Sequence, residues 1–168
     1  MGLPEVVLPK SRLPYHPHEY QTHCTEFILE KTSAGLFLDM GLGKSVITLT
    51  ALVDLLHDRF EVSKVLVIAP LRVANTTWLD EVLKWKHLKN LRVSRVLGSA
   101  KERTMALYKK ADIYTINREN VPWLVEFYKS DWPFDMVIID ELSSFKSPSA
   151  KRFRALKKVR HKIKTYFT

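Results

Sequence analysis

The sequence predicts an α/β fold in which a parallel sheet is flanked by helices, and three observations carry that expectation. Residues 65–69 and 136–140 are short, continuous Val/Leu/Ile-rich runs, the pattern of strands buried on both faces. Such runs alternate with segments of helical spacing about 10–15 residues long, as a parallel sheet with crossover helices requires. Length and composition are those of one globular domain, with 168 residues, 46% of them hydrophobic and 27% charged. This composition excludes a disordered tail, a collagen-like chain and a coiled-coil rod. A chain of this length buries a core without a disulfide or metal staple.

The elements follow in order. Residues 1–17 hold Pro4, Pro9, Pro14 and Pro17, which predicts an extended leading segment. The domain proper is expected over residues 18–168. Tyr20, Phe27, Ile28 and Leu29 predict a helix over 18–31, and the apolar run 34–39 predicts a buried strand. Ile47, Leu49, Leu52, Val53 and Leu56 place a helix over 45–57. The strand 65–69 ends at Pro70. Helices are then predicted at 74–85, 101–110 and 118–128, alternating with strands at 91–97 and 113–116. Pro122 is tolerated in the first turn of its helix. After the strand 136–140 come a basic helix over 148–161 and the start of a strand over 163–168. The chain stops inside that strand, so a fragment of a longer protein is expected, incomplete at its C-terminus. No internal repeat or low-complexity segment interrupts the pattern.

Charge and special residues narrow the class. Lys and Arg total 27 against 18 Asp and Glu, a net charge of +9. An excess of this size favours a polyanionic partner such as nucleic acid or an anionic membrane. Cys24 is the single cysteine, so no internal disulfide forms and a reducing compartment is expected. No apolar stretch reaches the length of a membrane span, and residues 1–10 lack the pattern of a signal peptide.

The strongest local signal is Leu38-Asp39-Met40-Gly41-Leu42-Gly43-Lys44-Ser45, between a predicted strand and a predicted helix. That context suits a phosphate-binding loop. Gly41 and Gly43 free the backbone to turn successive N–H groups inward, and the following helix adds its own unpaired N–H groups. Lys44 would reach the β- and γ-phosphates, and Ser45 would place its hydroxyl on Mg²⁺. The full GxxxxGK[ST] pattern has a glycine where this chain has Leu38. The second signal is Asp140-Glu141 at the C-terminal end of an apolar strand, the sheet edge at which open parallel sheets bind ligands. Asp140 would hold Mg²⁺ through water, and Glu141 would orient or deprotonate the attacking water.

Four segments, in this order, resemble the first RecA-like lobe of superfamily 2 helicase-type ATPases, and within them the Snf-type DNA translocases, including compact phage-like members. Pro17-His18-Glu19-Tyr20-Gln21 is similar to the adenine-recognition motif. Residues 39–45 are similar to motif I, where Met-Gly-Leu-Gly-Lys is characteristic of the Snf type. Residues 65–71, followed by Trp78, Glu81 and Trp85, resemble motif Ia. Asp140-Glu141-Leu142-Ser143, with Lys146-Ser147 and Ser149-Ala150-Lys151, resembles motif II and its extension. Residues 114–117 are a looser match to motif Ib.

The resemblance implies a RecA-like P-loop fold, ATP and Mg²⁺ as cofactors, and double-stranded DNA as partner. It implies a nucleotide site of Tyr20, Gln21, Met40, Gly41, Leu42, Gly43, Lys44 and Ser45, with Lys44, Asp140 and Glu141 catalytic and Ser45 and Asp140 on the metal. Gln21 would bond the adenine edge; Tyr20 is either a stacking ring or a core aromatic. Arg72, Asn117, Arg118, Lys146, Lys151 and Arg152 are the implied nucleic-acid contacts. Such contacts with the backbone are sequence-independent. A bacterial or phage-infected cytoplasm is the implied compartment.

Two features depart from the family. Ser143 stands where the family has His or Gln, a position that couples the γ-phosphate to the rest of the machine. Motif III and the second RecA-like lobe, with its arginine fingers, lie outside this sequence. An arginine finger contributes roughly 10³–10⁵ in rate, so a lone lobe is expected to bind ATP weakly and hydrolyse it poorly.

Other features have ordinary readings beside functional ones. The basic run 151–164 is either a phosphate-contacting face or a solvated face toward the second lobe. His16, His18, His23 and Cys24 match no standard zinc spacing. Trp78 and Trp85 read as core, and Cys24 as an inert thiol. Two competing functions remain at this level: a small kinase, against which no acceptor pocket or lid is legible, and a non-catalytic nucleic-acid-binding module.

Overall fold

Two apolar runs set the middle of the sheet. In the computed structural model, which describes residues 11–31, 33–36, 42–141 and 151–167, β2 (Val65–Ala69) is buried along its whole length. Its parallel neighbours β4 (Ile113–Asn117) and β5 (Met136–Ile139) are equally buried. A strand covered on both faces needs no polar alternation, which is why these segments read as unbroken hydrophobic runs. β3 (Val93–Val96) lies outside β4 and alternates half-buried with buried positions, as an edge strand does. On the other side, β6 (Lys164–Phe167) pairs with β5 and β1 (Ser33–Gly35) pairs with β6. All pairings are parallel, and the six strands run in the order β1-β6-β5-β2-β4-β3.

The period-two geometry of each strand splits the core into two layers. Val65, Val67, Ile113, Met136 and Ile138 face one layer, with Ile28 of α1 (Glu19–Glu30), Ile47 and Leu52 of α2 (Lys44–Val53), and Trp78 and Val82 of α3 (Trp78–Lys84). Leu66, Ile68, Tyr114, Ile116, Val137 and Ile139 face the other. They meet Leu107 of α4 (Ala100–Tyr108), Leu124 of α5 (Val121–Tyr128) and Leu156 of α6 (Lys151–Lys157). Helices therefore cover both faces, as right-handed crossovers between parallel strands require.

Local chemistry sets the helix ends. Ser99 and Glu102 form a reciprocal capping box at the start of α4, and Pro122 sits in the first turn of α5. The expected helix 45–57 is α2 followed by a π turn at 54–58, and the expected helix 74–85 begins as a π turn at 73–77. Trp85 leaves the helix in an extended conformation because it pairs with Leu13. The expected basic helix 148–161 is shorter: α6 closes at Lys157, a tight turn follows at 160–162, and residues 148–150 lie outside the described residues.

Residues 11–17 are extended and laid along the end of α3. The Leu13 N–H donates to the Lys84 carbonyl at 2.8 Å, and the Leu13 carbonyl accepts from the Lys86 N–H at 2.9 Å. The Arg12 guanidinium donates to the carbonyls of Val82 and Trp85. Among the described residues no helix is long and apolar enough to cross a membrane.

Candidate nucleotide site at the C-terminal sheet edge

Register brings the predicted site residues to one edge. Gly35, Phe167 and Ile139 are aligned across β1, β6 and β5, and Ile139 is aligned through Ile68 of β2 with Ile116 of β4. Asp140, Arg72 and Arg118 thus all leave the sheet on the same side, beyond the ends of adjacent strands. The Asp140 N–H donates to the Ile68 carbonyl at 2.8 Å, extending the ladder by one step and fixing the aspartate over β2.

Gly43 precedes α2 at φ +77, the left-handed region, and a Cβ built there would lie 2.8 Å from Gln21 Nε2. A side chain there would be strained by the backbone and would force the Gln21 amide to shift. Lys44 and Ser45 follow in the first turn of α2, both half-buried. Gln21 is 8% exposed; its Oε1 accepts the His18 N–H at 2.9 Å, and its amide nitrogen faces Gly43. The first turn of α1 thus packs on the start of α2. Tyr20 is a surface aromatic, not a core one: it is 38% exposed, and its hydroxyl donates to the Leu42 carbonyl at 3.2 Å. The His18 ring stacks on it, 5.8 Å between centroids and 7° from parallel. Met40 and Gly41 lie outside the described residues.

The carboxylates differ in setting. Burial holds the Asp140 carboxyl above its ordinary range, and the neighbouring Glu141 carboxylate pushes the same way. Trp78 Nε1 donates to Asp140 Oδ2 at 3.3 Å and, with the Lys44 ammonium and the Glu141 backbone N–H, pulls it back down. The effect of Lys44 on Asp140 puts the start of α2 and the end of β5 within electrostatic reach. Glu141 is exposed and sits at φ +57, an uncommon conformation for a residue with a Cβ. Its Oε2 lies 3.6 Å from Arg118 Nη2.

The remaining candidates spread along the same edge. Arg72 is exposed just past β2. Asn117 is buried and spends its side chain locally, donating to Glu119 Oε2 at 3.1 Å and accepting from Asn120 Nδ2 at 2.7 Å. Lys151 is exposed and Arg152 half-buried at the start of α6; Lys146 and Ser143 lie outside the described residues. Cys24 is half-buried against the core, Trp78 is fully buried, and no group of His, Cys, Asp or Glu arranged for a metal ion occurs among the described residues. Sequence reasoning missed the Trp78–Asp140 hydrogen bond, the Arg118–Glu141 ion pair and the docking role of Arg12. The only advance signal was the Trp-containing segment after Pro70, which read equally well as core.

A wholly parallel sheet whose C-terminal edge gathers a Gly-Lys-Ser helix start and an Asp-Glu pair defines a RecA-like lobe of the P-loop class. The profile of the SNF2-related domain matches residues 20–168. The chain belongs to the SNF2-related domain family. It is 41% identical over 153 residues to protein p41 of Acyrthosiphon pisum secondary endosymbiont phage 1, covering 88% of this chain and 33% of that protein. Among solved structures, it superposes on the Sulfolobus solfataricus SWI2/SNF2 ATPase core in complex with dsDNA with a TM-score of 0.72 at 24% identity, covering 99% of this chain and 33% of that one. The UvsW helicase from bacteriophage T4 gives a TM-score of 0.66 at 17% identity, with 91% and 51% covered. The chain therefore spans about a third of the curated phage relative's length. The fold is that of the first RecA-like lobe of a Snf-type core.

Proposed function

We propose that this chain is the ATP-binding lobe of a DNA-dependent ATPase that, within a longer protein, couples hydrolysis to movement along duplex DNA. The observation that carries the reading is the convergence of Lys44 with Asp140 at one sheet edge, beside a left-handed Gly43 where any side chain would be strained. The residues suit Mg²⁺-ATP. Gly43, with Met40, Gly41 and Leu42, supplies a loop of backbone N–H groups for phosphates, Lys44 a cation for the terminal phosphates, and Ser45 and Asp140 hard oxygen ligands for Mg²⁺. Gln21 is held in place to read the adenine edge, with Tyr20 as the adjacent exposed ring. Bound Mg²⁺-ATP brings the phosphoryl group to be transferred; Glu141 accepts the proton of the attacking water.

Duplex DNA as partner is supported by the net charge of +9 and by the dsDNA bound to the Sulfolobus core. Arg72, Asn117, Arg118, Lys146, Lys151 and Arg152 are the proposed contacts, and a phage-infected bacterial cytoplasm is the proposed setting. Titration calorimetry of the chain with Mg²⁺-ATP tests the nucleotide site, with GTP as competitor. The expected result is weak binding that prefers ATP and vanishes in Lys44→Ala. Equal binding of both nucleotides would remove the adenine role of Gln21, and unchanged binding in Lys44→Ala would remove the phosphate loop.

A further inference from the structure

Arg118 is the first residue beyond β4, and its guanidinium turns toward the carboxylate proposed as the base. Arg118 Nη2 lies 3.6 Å from Glu141 Oε2; the Arg118 side chain is 13% exposed and that of Glu141 58%. A charge-assisted hydrogen bond would close to about 2.7–2.9 Å, so the pair is loose. Arg118 Nε is buried and has no hydrogen-bond partner among the described residues. A guanidinium carries five donors in a rigid fork, and a buried donor without an acceptor costs free energy. The neighbouring polar groups are already committed, since Asn117, Glu119 and Asn120 bond to one another. Arg118 is therefore a cation with a spare donor, at the start of the turn after β4 and beside the Glu141 carboxylate.

The acceptor that suits a guanidinium with a spare donor is a phosphate, which takes two parallel N–H bonds. We propose that Arg118 is a coupling residue, shared between Glu141 and a backbone phosphate of bound duplex DNA, so that DNA engagement draws Arg118 away from Glu141 and DNA release restores the pair. This rests on the reading of the chain as the DNA-binding ATPase lobe. No bond is made or broken; one ion pair is exchanged for another. The carboxylate thereby loses the positive charge beside its Oε2, and a DNA signal reaches the ATP site through one side chain. Coupling of this kind is reciprocal. If Glu141 and phosphate compete for Arg118, neutralising Glu141 must tighten DNA binding, and it must do so only while Arg118 is present.

The test is a double-mutant cycle on DNA affinity, read by fluorescence anisotropy of a short fluorescein-labelled duplex with the full chain at two salt concentrations. The chains are wild type, Glu141→Gln, Arg118→Gln and the double variant. Glu119→Gln makes the same charge change in the turn after β4, next to Arg118, and serves as control. Glu141→Gln is expected to tighten binding about two- to fivefold more than Glu119→Gln, the size of a partly exposed ion pair. Arg118→Gln is expected to weaken binding, lower the salt slope by about one, and abolish the effect of Glu141→Gln. Glu141 is exposed, so its variant retains the fold. Arg118→Lys keeps the charge in place if Arg118→Gln melts early, and it should retain only part of the coupling. Equal effects of Glu141→Gln and Glu119→Gln, or tightening that survives both substitutions at Arg118, would overturn the proposal alone. A wild-type chain that binds Mg²⁺-ATP but no duplex would overturn the DNA reading and the proposal with it.

Discussion

Gly43 shows how much one residue decides. At φ +77, an L side chain costs about 1–2 kcal/mol in backbone strain. Its Cβ would also stand 2.8 Å from Gln21 Nε2 and 3.2 Å from Val46 Cγ1. Gly43→Ala should therefore lower stability by roughly that amount in urea unfolding and weaken nucleotide binding, because Gln21 must shift. Gly98→Ala is the matched control, since Gly98 stands at φ +86 and a Cβ there would meet the Glu102 carboxylate at 2.2 Å, just past β3 at the opposite end of the strand order from β1. It should cost stability and leave ATP affinity unchanged; loss of affinity in both would mean that strain alone, not the loop, is being read. Trp78 offers a second test at this scale. Trp78→Phe keeps most of the buried ring and removes the N–H that bonds Asp140. Removing a hydrogen bond to a buried carboxylate costs about 1.5–3 kcal/mol, and calorimetry should show ATP binding that demands more Mg²⁺. Lys44 and Asp140 were legible as candidates because Lys44 opens an apolar helix and Asp140 follows an unbroken apolar strand, each inside a recognisable spacing. The bond from Trp78 was not, because a tryptophan at helical spacing reads as core, and Trp78 is core as well.

At the scale of elements, the strands were legible where burial on both faces leaves an unbroken apolar run, as at β2 and β5. The helices were legible in position but not in kind. Nothing in a 3.6-residue pattern distinguishes the π turns at 54–58 and 73–77 from α-helix. The docking of the leading segment was illegible for a different reason, since its partner lies some seventy positions away. That docking has a pH signature. Tyr15 stacks on His87 at 4.7 Å and 14°, and His87 Nε2 lies 2.8 Å from Thr50 Oγ1. Burial lowers the His87 pKa below its ordinary value. A histidine that resists protonation only when folded takes up its proton more readily in the unfolded chain. The folded state therefore keeps its advantage above about pH 6.5 and loses it as pH falls below that value. Thermal melts from neutral to mildly acidic pH should show this loss in wild type and a smaller loss in His87→Phe, which keeps the stack on Tyr15. Identical pH profiles would detach His87 from the effect.

At the scale of the molecule, the sheet order makes the two ends of the sequence depend on each other. β1, which leads toward the Gly43-Lys44 loop, pairs with β6 and stands at the end of the order β1-β6-β5-β2-β4-β3. β6 comes from residues 164–167, so the strand that anchors the phosphate loop is held by residues more than a hundred positions later. Contacts of such separation carry a large closure entropy that must be met before they contribute. A chain stopped after Ile163 would leave β1 without a strand neighbour and β5 with an open edge. The block β5-β2-β4-β3 with α4 and α5 would keep its own buried layer of Leu66, Ile68, Tyr114 and Val137. Truncation should therefore act unevenly. Hydrogen exchange should show protection surviving in β2 and β4 while it falls in α1, β1 and α2, and calorimetry should show ATP binding lost. A truncated chain with an unaltered melt and unaltered ATP affinity would mean that β1 and the phosphate loop are held by the packing of α1 on α2, not by the sheet.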